Sequence, residues 1–282
     1  MTAADEQHLL GVAQAAAAAA AAELLSRFGR RQAHVRSKSS PTDPVSDADL
    51  AAEAAVRRVL AQRRPGDAIL GEEGGATGDG DLRWVIDPLD GTVNFLFGIP
   101  QFAVSVACED ADGPLAAVVL DPVRDEAFAA TRSGEATLNG AAIAGSDRAE
   151  LATALVATGF AYDSGLRARQ AQLLLRVLPR VRDIRRAGAA ALDLAWCACG
   201  RCDAYYERGL KPWDWAAGSL IAARAGLEVR ELGPGADGPA GLLAAPPGLV
   251  DELEELVLGR TPRRPAPAAP PSGDLAARDR DP

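Results

Sequence analysis

Residues 84–95, WVIDPLDGTVNF, constrain this chain more than any other segment. The apolar run Trp84, Val85, Ile86 reads as a short buried strand ending at Asp87. Pro88 has no N–H for a sheet ladder, so the spacing predicts that the strand stops there and turns. Asp90 follows three positions after Asp87; Gly91 then permits close backbone approach, and Thr92 begins a short helix. Two acids converging on one point repel each other unless a cation stands between them. Backbone N–H groups beside them suit an anion. Carboxylates for a hard metal beside donors for a phosphate are the chemistry of phosphate-ester hydrolysis. D-x-x-D alone is also a common solvated turn. The fuller string D-P-x-D-G-T fixes five residues of about 5% usage each, matching by chance on the order of once in ten thousand such chains.

With 282 residues the chain can bury a large core, in one domain or two lobes. Its formal net charge of −9 argues against a basic nucleic-acid footprint or a surface attracted to anionic membranes. An acidic protein that handles phosphate esters needs metal ions to offset repulsion, which agrees with the clustered carboxylates. Two lysines, Lys38 and Lys211, stand among 30 basic residues; the arginine, alanine and proline bias carries no functional message. The two histidines, His8 and His34, lie in no chemical motif, which argues against a Ser-His-Asp hydrolase or a His-ligated zinc enzyme. Cys108, Cys197, Cys199 and Cys202 are too few for a disulfide framework, and Cys197 and Cys199 continue the apolar pattern of LDLAWCACG. They read as buried structural thiols. Asp5 and Glu6 stand where a secretory signal carries positive charge, and the run Ala15–Ala22 is helix former rather than membrane anchor. These features predict a cytoplasmic protein.

The pattern predicts a first helix over residues 6–28, a polar loop over 30–46, and a second helix over 48–62 capped by Ser46 or Asp47. That helix has Leu50, Ala54, Val56 and Leu60 as its apolar positions. A strand at 68–70 leads into GEEGG, and FAVSVAC, LAAVVLD and EAFAAT alternate like antiparallel strands. From about residue 150 strands and helices alternate, with helices near 166–178, 189–198 and 214–225. The expected division is an α+β lobe over 1–148, an α/β lobe over 149–259, and a disordered Pro/Ala-rich tail over 260–282.

The segments SKSSPTDPVSDADLAAE (37–53), GEEG (71–74), DPLDGTVNF (87–95), LNG (138–140) and DAYYERGLKPWDWAAG (203–218) together resemble the inositol monophosphatase family. The resemblance runs over nearly everything except the tail. It implies a layered αβαβα sandwich of the inositol monophosphatase and fructose-1,6-bisphosphatase type, usually a homodimer, with two or three Mg²⁺ ions per site and sensitivity to lithium. The family's metal ligands fall on Glu72, Asp87, the Leu89 carbonyl, Asp90 and Asp214, all hard oxygen donors of the kind magnesium takes. Glu72 and Thr92, with Asp49 behind Thr92, match the residues that activate water. Asp90, Gly91, Thr92, Gly188, Ala190, Glu207 and Asp214 match the substrate-binding positions, Glu207 being the one for ring hydroxyls. Ala189 stands where many relatives carry a hydroxyl. Glu73 is expected to support rather than ligate, and Lys38 lies where the family also carries lysine. The implied activity is Mg²⁺-dependent hydrolysis of inositol monophosphate or a similar small polyol phosphate. Histidinol phosphate, fructose 1,6-bisphosphate and 3′-phosphonucleotides are alternative substrates, and an interaction protein with vestigial activity is the alternative of another class. No nucleic acid or membrane partner is expected.

Overall fold

A computed structural model describes residues 1–30, 35–37, 44–235 and 238–260. Among these, the helices are α1 (Ala3–Arg27), α2 (Asp47–Arg63), α3 (Thr92–Leu96), α4 (Ser164–Val177), α5 (Ala190–Ala198), α6 (Pro212–Arg224) and α7 (Val250–Val257). The first strands are β1 (Val35–Ser37), β2 (Pro44–Ser46), β3 (Ala68–Gly71), β4 (Gly75–Thr77), β5 (Arg83–Asp90), β6 (Ala103–Asp110), β7 (Gly113–Asp121) and β8 (Glu126–Thr131). They are followed by β9 (Thr137–Leu138), β10 (Ala141–Ala142), β11 (Leu155–Thr158), β12 (Asp183–Arg185), β13 (Ala204–Arg208), β14 (Glu228–Leu232) and β15 (Gly241–Ala245). Eight strands form one sheet in the order β10-β9-β8-β7-β6-β5-β3-β4, and five form another in the order β12-β11-β13-β15-β14.

The layering follows from the two-residue period of β-strands. On β5, Trp84 and Ile86 enter a core shared with α1 and α2, whereas Val85 faces α5 and α6 on the opposite side. The apolar run is continuous because the strand is covered on both faces. The β6 run behaves likewise, with Val104 and Val106 on the α1/α2 side and Ala103 and Ala107 on the α5/α6 side. Helix α5 then turns Leu194 and Cys197 to the second sheet, where they meet Ala157 and Tyr205. On that sheet's far side, Leu173, Val177, Leu253 and Val257 of α4 and α7 close over Val156 and Leu243. The result is the expected α/β sandwich in five layers, αβαβα, with α5 and α6 in the middle.

The alanine run of α1 allows close approach: Ala13, Ala16, Ala17 and Ala20 are all buried with Leu9 and Leu24 in the first core. This helix is long and apolar enough to cross a membrane by length and composition, but its apolar side packs into that core. Ser46, not Asp47, is the cap of α2, with a capping box completed by Asp49. Leu50, 46% exposed, and Ala54, also exposed, lie outside the core, because the buried stripe of α2 runs instead through Ala48, Ala52, Val56 and Leu60. The expected polar loop over 30–46 contains the short pair β1 and β2, and β14, β15 and α7 are elements that local patterning did not single out. Cys108, Cys197 and Cys202 are buried free thiols, while Cys199 is half-buried. Lys38 and the tail beyond Arg260 lie outside the described residues.

Candidate active site

Strand β5 does not stop at Asp87. Its pairing with β6 runs Asp87↔Ser105 and resumes at Asp90↔Ala103, with a β-bulge between. Pro88, which lacks the donor a regular ladder needs, falls inside that bulge. The bulge has a chemical consequence. Residues three apart on a regular strand point to opposite faces. One extra residue restores Asp90 to the face of Asp87, the face on which their partners Ser105 and Ala103 look toward α5 and α6. The Leu89 N–H is held by Asp87 Oδ1 at 3.0 Å. Gly91 follows with φ +95°, and a Cβ there would lie 2.9 Å from the Gln101 carbonyl oxygen. Glycine is therefore required at this corner.

Other elements bring further acids to the same place. Glu72 follows β3, and its N–H donates to the Ile86 carbonyl at 3.1 Å. The turn after it is built on Glu53, a residue the sequence reading gave no role. The Glu53 carboxylate accepts the Glu73 and Gly74 N–H groups at 2.8 and 2.9 Å and pairs with Arg57. Glu73 thus belongs to the turn through its backbone. Asp214 lies within the first turn of α6 rather than before it, and its Oδ2 accepts the Lys211 N–H at 2.7 Å. Lys211 itself is exposed.

Asp49 and Thr92 meet across the α1/α2 side. Thr92 Oγ1 lies 2.9 Å from Asp49 Oδ1 and 3.1 Å from the Leu89 carbonyl oxygen. Asp49 is fixed from behind by the N–H and hydroxyl of Ser46, at 2.8 and 2.6 Å.

Asp90 supplies what Ala189 lacks. Helix α5 has no side-chain cap at Ala189. Instead, Asp90 accepts the N–H groups of Ala190, Ala191 and Leu192 at 3.0, 2.8 and 3.3 Å, so a carboxylate from another element caps the helix. The Gly188 turn is pinned by Asn94, whose Nδ2 donates to the carbonyls of Gln101 and Ala187 at 2.7 and 2.8 Å. Neither Asn94 nor the acceptor role of Asp90 was assigned from the sequence, because both depend on contacts far apart in the chain.

The electrostatics record the crowding. Burial, then the charges of Glu72, Asp90 and Asp214, push the Asp87 carboxyl well above its ordinary range. Burial also pushes Asp214 well above, helped by Glu72, Asp90 and Glu207 and opposed by the Lys211 N–H. Asp90 is raised to about 7 by burial against the three helix N–H bonds. Glu207 on β13 is likewise raised to about 7 by burial, although the Tyr205 hydroxyl, 2.9 Å away, and Arg186 favour its charged form. Asp193, also missed from the sequence, is 1% exposed, and neither carboxyl oxygen has a hydrogen-bond partner.

The donor set fits a hard divalent cation: four carboxylates and one backbone carbonyl, with the acids mutually repelling. Among the described residues no three His, Cys, Asp or Glu side chains form a ready-made cage. Asp90 spends lone pairs on α5, but each carboxylate oxygen has two, so ligation remains open to it.

The Inositol monophosphatase family model matches residues 5–261. The chain is 48% identical over 243 residues to an inositol-1-monophosphatase SuhB of Mycobacterium tuberculosis, covering 81% of this chain and 83% of that protein. It is 43% identical over 231 residues to the Nus factor SuhB of Pseudomonas aeruginosa, covering 78% and 84% respectively. The crystal structure of extragenic suppressor protein suhB from Bartonella henselae superposes with a TM-score of 0.82 at 36% identity, over 89% of this chain and 98% of that one. With its layered fold and a family match over nearly the whole chain, this protein belongs to the inositol monophosphatase family.

Proposed function

We propose that this chain is a Mg²⁺-dependent phosphatase that hydrolyses inositol monophosphate or a similar small polyol phosphate. The observation that carries the reading is the bulge in β5, which turns Asp87 and Asp90 to one face toward α6, where Asp214 and Glu72 add their charges. Glu72, Asp87, the Leu89 carbonyl, Asp90 and Asp214 are the groups that would hold two or three Mg²⁺ ions. Bound there, Mg²⁺ supplies the charge that offsets the carboxylates and the phosphate and makes water acidic enough to attack near neutral pH.

The chain's own residues do the positioning. The Thr92 hydroxyl has one proton, and Asp49, anchored by Ser46, is its acceptor. That leaves the Thr92 oxygen free to accept a hydrogen bond from the attacking water, while Glu72 takes the second proton. The water oxygen attacks phosphorus and keeps the proton it shares with Thr92, and the ester P–O bond breaks. The one proton equivalent taken up by Glu72 ends on the departing alcohol, so the products are free alcohol and hydrogen phosphate. Gly91 and Thr92 present backbone N–H groups to the phosphate. Gly188 and Ala190 line the turn beside it, and Glu207, backed by Tyr205, accepts from the polyol. The homodimer, the cytoplasmic location and the inhibition by lithium belong to the same reading, supported by the family.

The name of the Pseudomonas relative supports a second kind of role, as an interaction protein. The retained acids Asp49, Glu72, Asp87, Asp90 and Asp214 favour catalysis here. The test is phosphate release by the purified protein from inositol monophosphate, histidinol phosphate, fructose 1,6-bisphosphate and a 3′-phosphonucleotide. Excess chelator should abolish turnover and Mg²⁺ restore it. Asp214→Asn should lower kcat on the order of 10²-fold or more while the protein stays folded. Full turnover in chelator overturns the proposal.

A further inference from the structure

We propose that Arg186 is a specificity-determining residue: opposite Glu207, it donates to the hydroxyls of a neutral polyol leaving group. The inference rests on the phosphatase reading above and adds to it a residue that neither the motifs nor the family resemblance singled out.

Arg186 follows β12 on the segment that leads into the Gly188 turn, and it is exposed. Its guanidinium stands over the Phe160 ring, 6.0 Å from the centroid. It also crowds the Cα of Gly188, so that a side chain at Gly188 would displace it. Phe160 adjoins Gly159, and a Cβ at Gly159 would overlap the Glu207 carboxylate. The cation and the carboxylate are therefore carried side by side, one on the substrate turn and one on β13. They are close enough for Arg186 to hold down the Glu207 carboxyl against burial. Yet among the described residues Arg186 makes no hydrogen bond and no ion pair, and its guanidinium is steadied only by the Phe160 ring.

A fixed acceptor and a donor fork that feel each other without touching leave a gap. A hydroxyl, at once donor and acceptor, is the group that bridges it. The balance of charge points the same way. Glu207 and Arg186 are one carboxylate and one guanidinium, so together they bring no surplus positive charge to the leaving-group side. A second anionic group on the alcohol would face Glu207 as well as Arg186, whereas a neutral hydroxyl can bond to both.

The experiment compares inositol 1-phosphate, inositol 1,4-bisphosphate and p-nitrophenyl phosphate in the unaltered protein and in Arg186→Gln, Arg186→Lys, Glu207→Gln and Arg186→Gln/Glu207→Gln, all with Mg²⁺. Arg186→Gln should raise KM for inositol 1-phosphate about 10-fold and leave kcat/KM for p-nitrophenyl phosphate within about 2-fold. Arg186→Lys should fall between. The double variant should lose less than the product of the two single losses, because both groups hold the same hydroxyls. Equal losses on both monoesters, no loss on either, or a preference of the unaltered protein for the bisphosphate overturns the role of Arg186 and leaves the phosphatase reading standing. Hydrolysis of none of the three esters overturns that reading, and this inference with it.

Discussion

Asp49 does two things with one carboxylate, and replacing it should separate them. Its Oδ2 accepts the Ser46 N–H and hydroxyl at 2.8 and 2.6 Å, closing the capping box of α2, and its Oδ1 lies 2.9 Å from the Thr92 hydroxyl. The residue is 1% exposed, so water cannot take over as partner. A hydrogen bond to a charged group contributes about 1.5–3 kcal/mol, and loss of a capping interaction costs about 1 kcal/mol. The three bonds share one carboxylate, so their losses are not additive. Thr92 also has an alternative acceptor in the Leu89 carbonyl, 3.1 Å away. Asp49→Ala should therefore cost about 3–5 kcal/mol, and Asp49→Asn, which keeps one acceptor, about 1.5–3 kcal/mol. At about 2–4 °C per kcal/mol for a domain of this size, Asp49→Asn lowers Tm by about 3–12 °C. If Thr92 passes its proton toward Asp49, the same variant should lower kcat on the order of 10²- to 10⁴-fold, since Thr92 swings to Leu89 and no longer aims at the water. The assay is thermal unfolding beside phosphate release for Asp49→Asn, Thr92→Val and the double variant. Two residues acting as one unit make the double variant no slower than the worse single. If Asp49→Asn keeps kcat within a factor of about 3, the pair is architectural and its catalytic assignment is wrong.

Two further outcomes can be checked directly. Glu207→Gln should lower kcat/KM for inositol monophosphate roughly 10- to 150-fold and barely touch p-nitrophenyl phosphate, which lacks the hydroxyls; equal losses would place Glu207 in the catalytic or structural machinery. Glu6 ties α1 to the turn after β8, accepting the N–H and hydroxyl of Ser133 at 2.8 and 2.6 Å. Burial raises its carboxyl, but the Ser133 bonds and the charge of Arg132 bring it below the ordinary glutamate value of 4.5. A depressed carboxyl stabilises the fold above its unfolded pKa and loses that contribution as pH falls through the folded one. Glu6→Gln should thus lower Tm by about 3–10 °C at pH 7, with the gap to the parent protein closing in acid; a gap independent of pH would show that the charge is not what matters.

What the amino-acid order determined by itself was local, or repeated locally. The apolar run before Asp87 announced a short buried strand, alanines in series announced a helix rather than a membrane anchor, and D-P-L-D-G-T with W-D-W-A-A-G pointed to the acids and the family. Such signals survive in one dimension because strand and helix periods are written residue by residue. Tertiary structure decided how those pieces become a site. Proline at 88 suggested the end of a strand; pairing with β6 made it a bulge, and only the bulge sets Asp87 and Asp90 on one face. Asp90 caps a helix one hundred residues later in the chain, Glu53 shapes the turn that carries Glu72, and Asn94 pins the turn at Gly188. The facing of Arg186 and Glu207 depends on β11, β12 and β13 lying side by side in one sheet. None of these contacts has a sequence signature, because each joins residues whose separation along the chain carries no period, and only the packing of the layers brings them within hydrogen-bond or electrostatic reach.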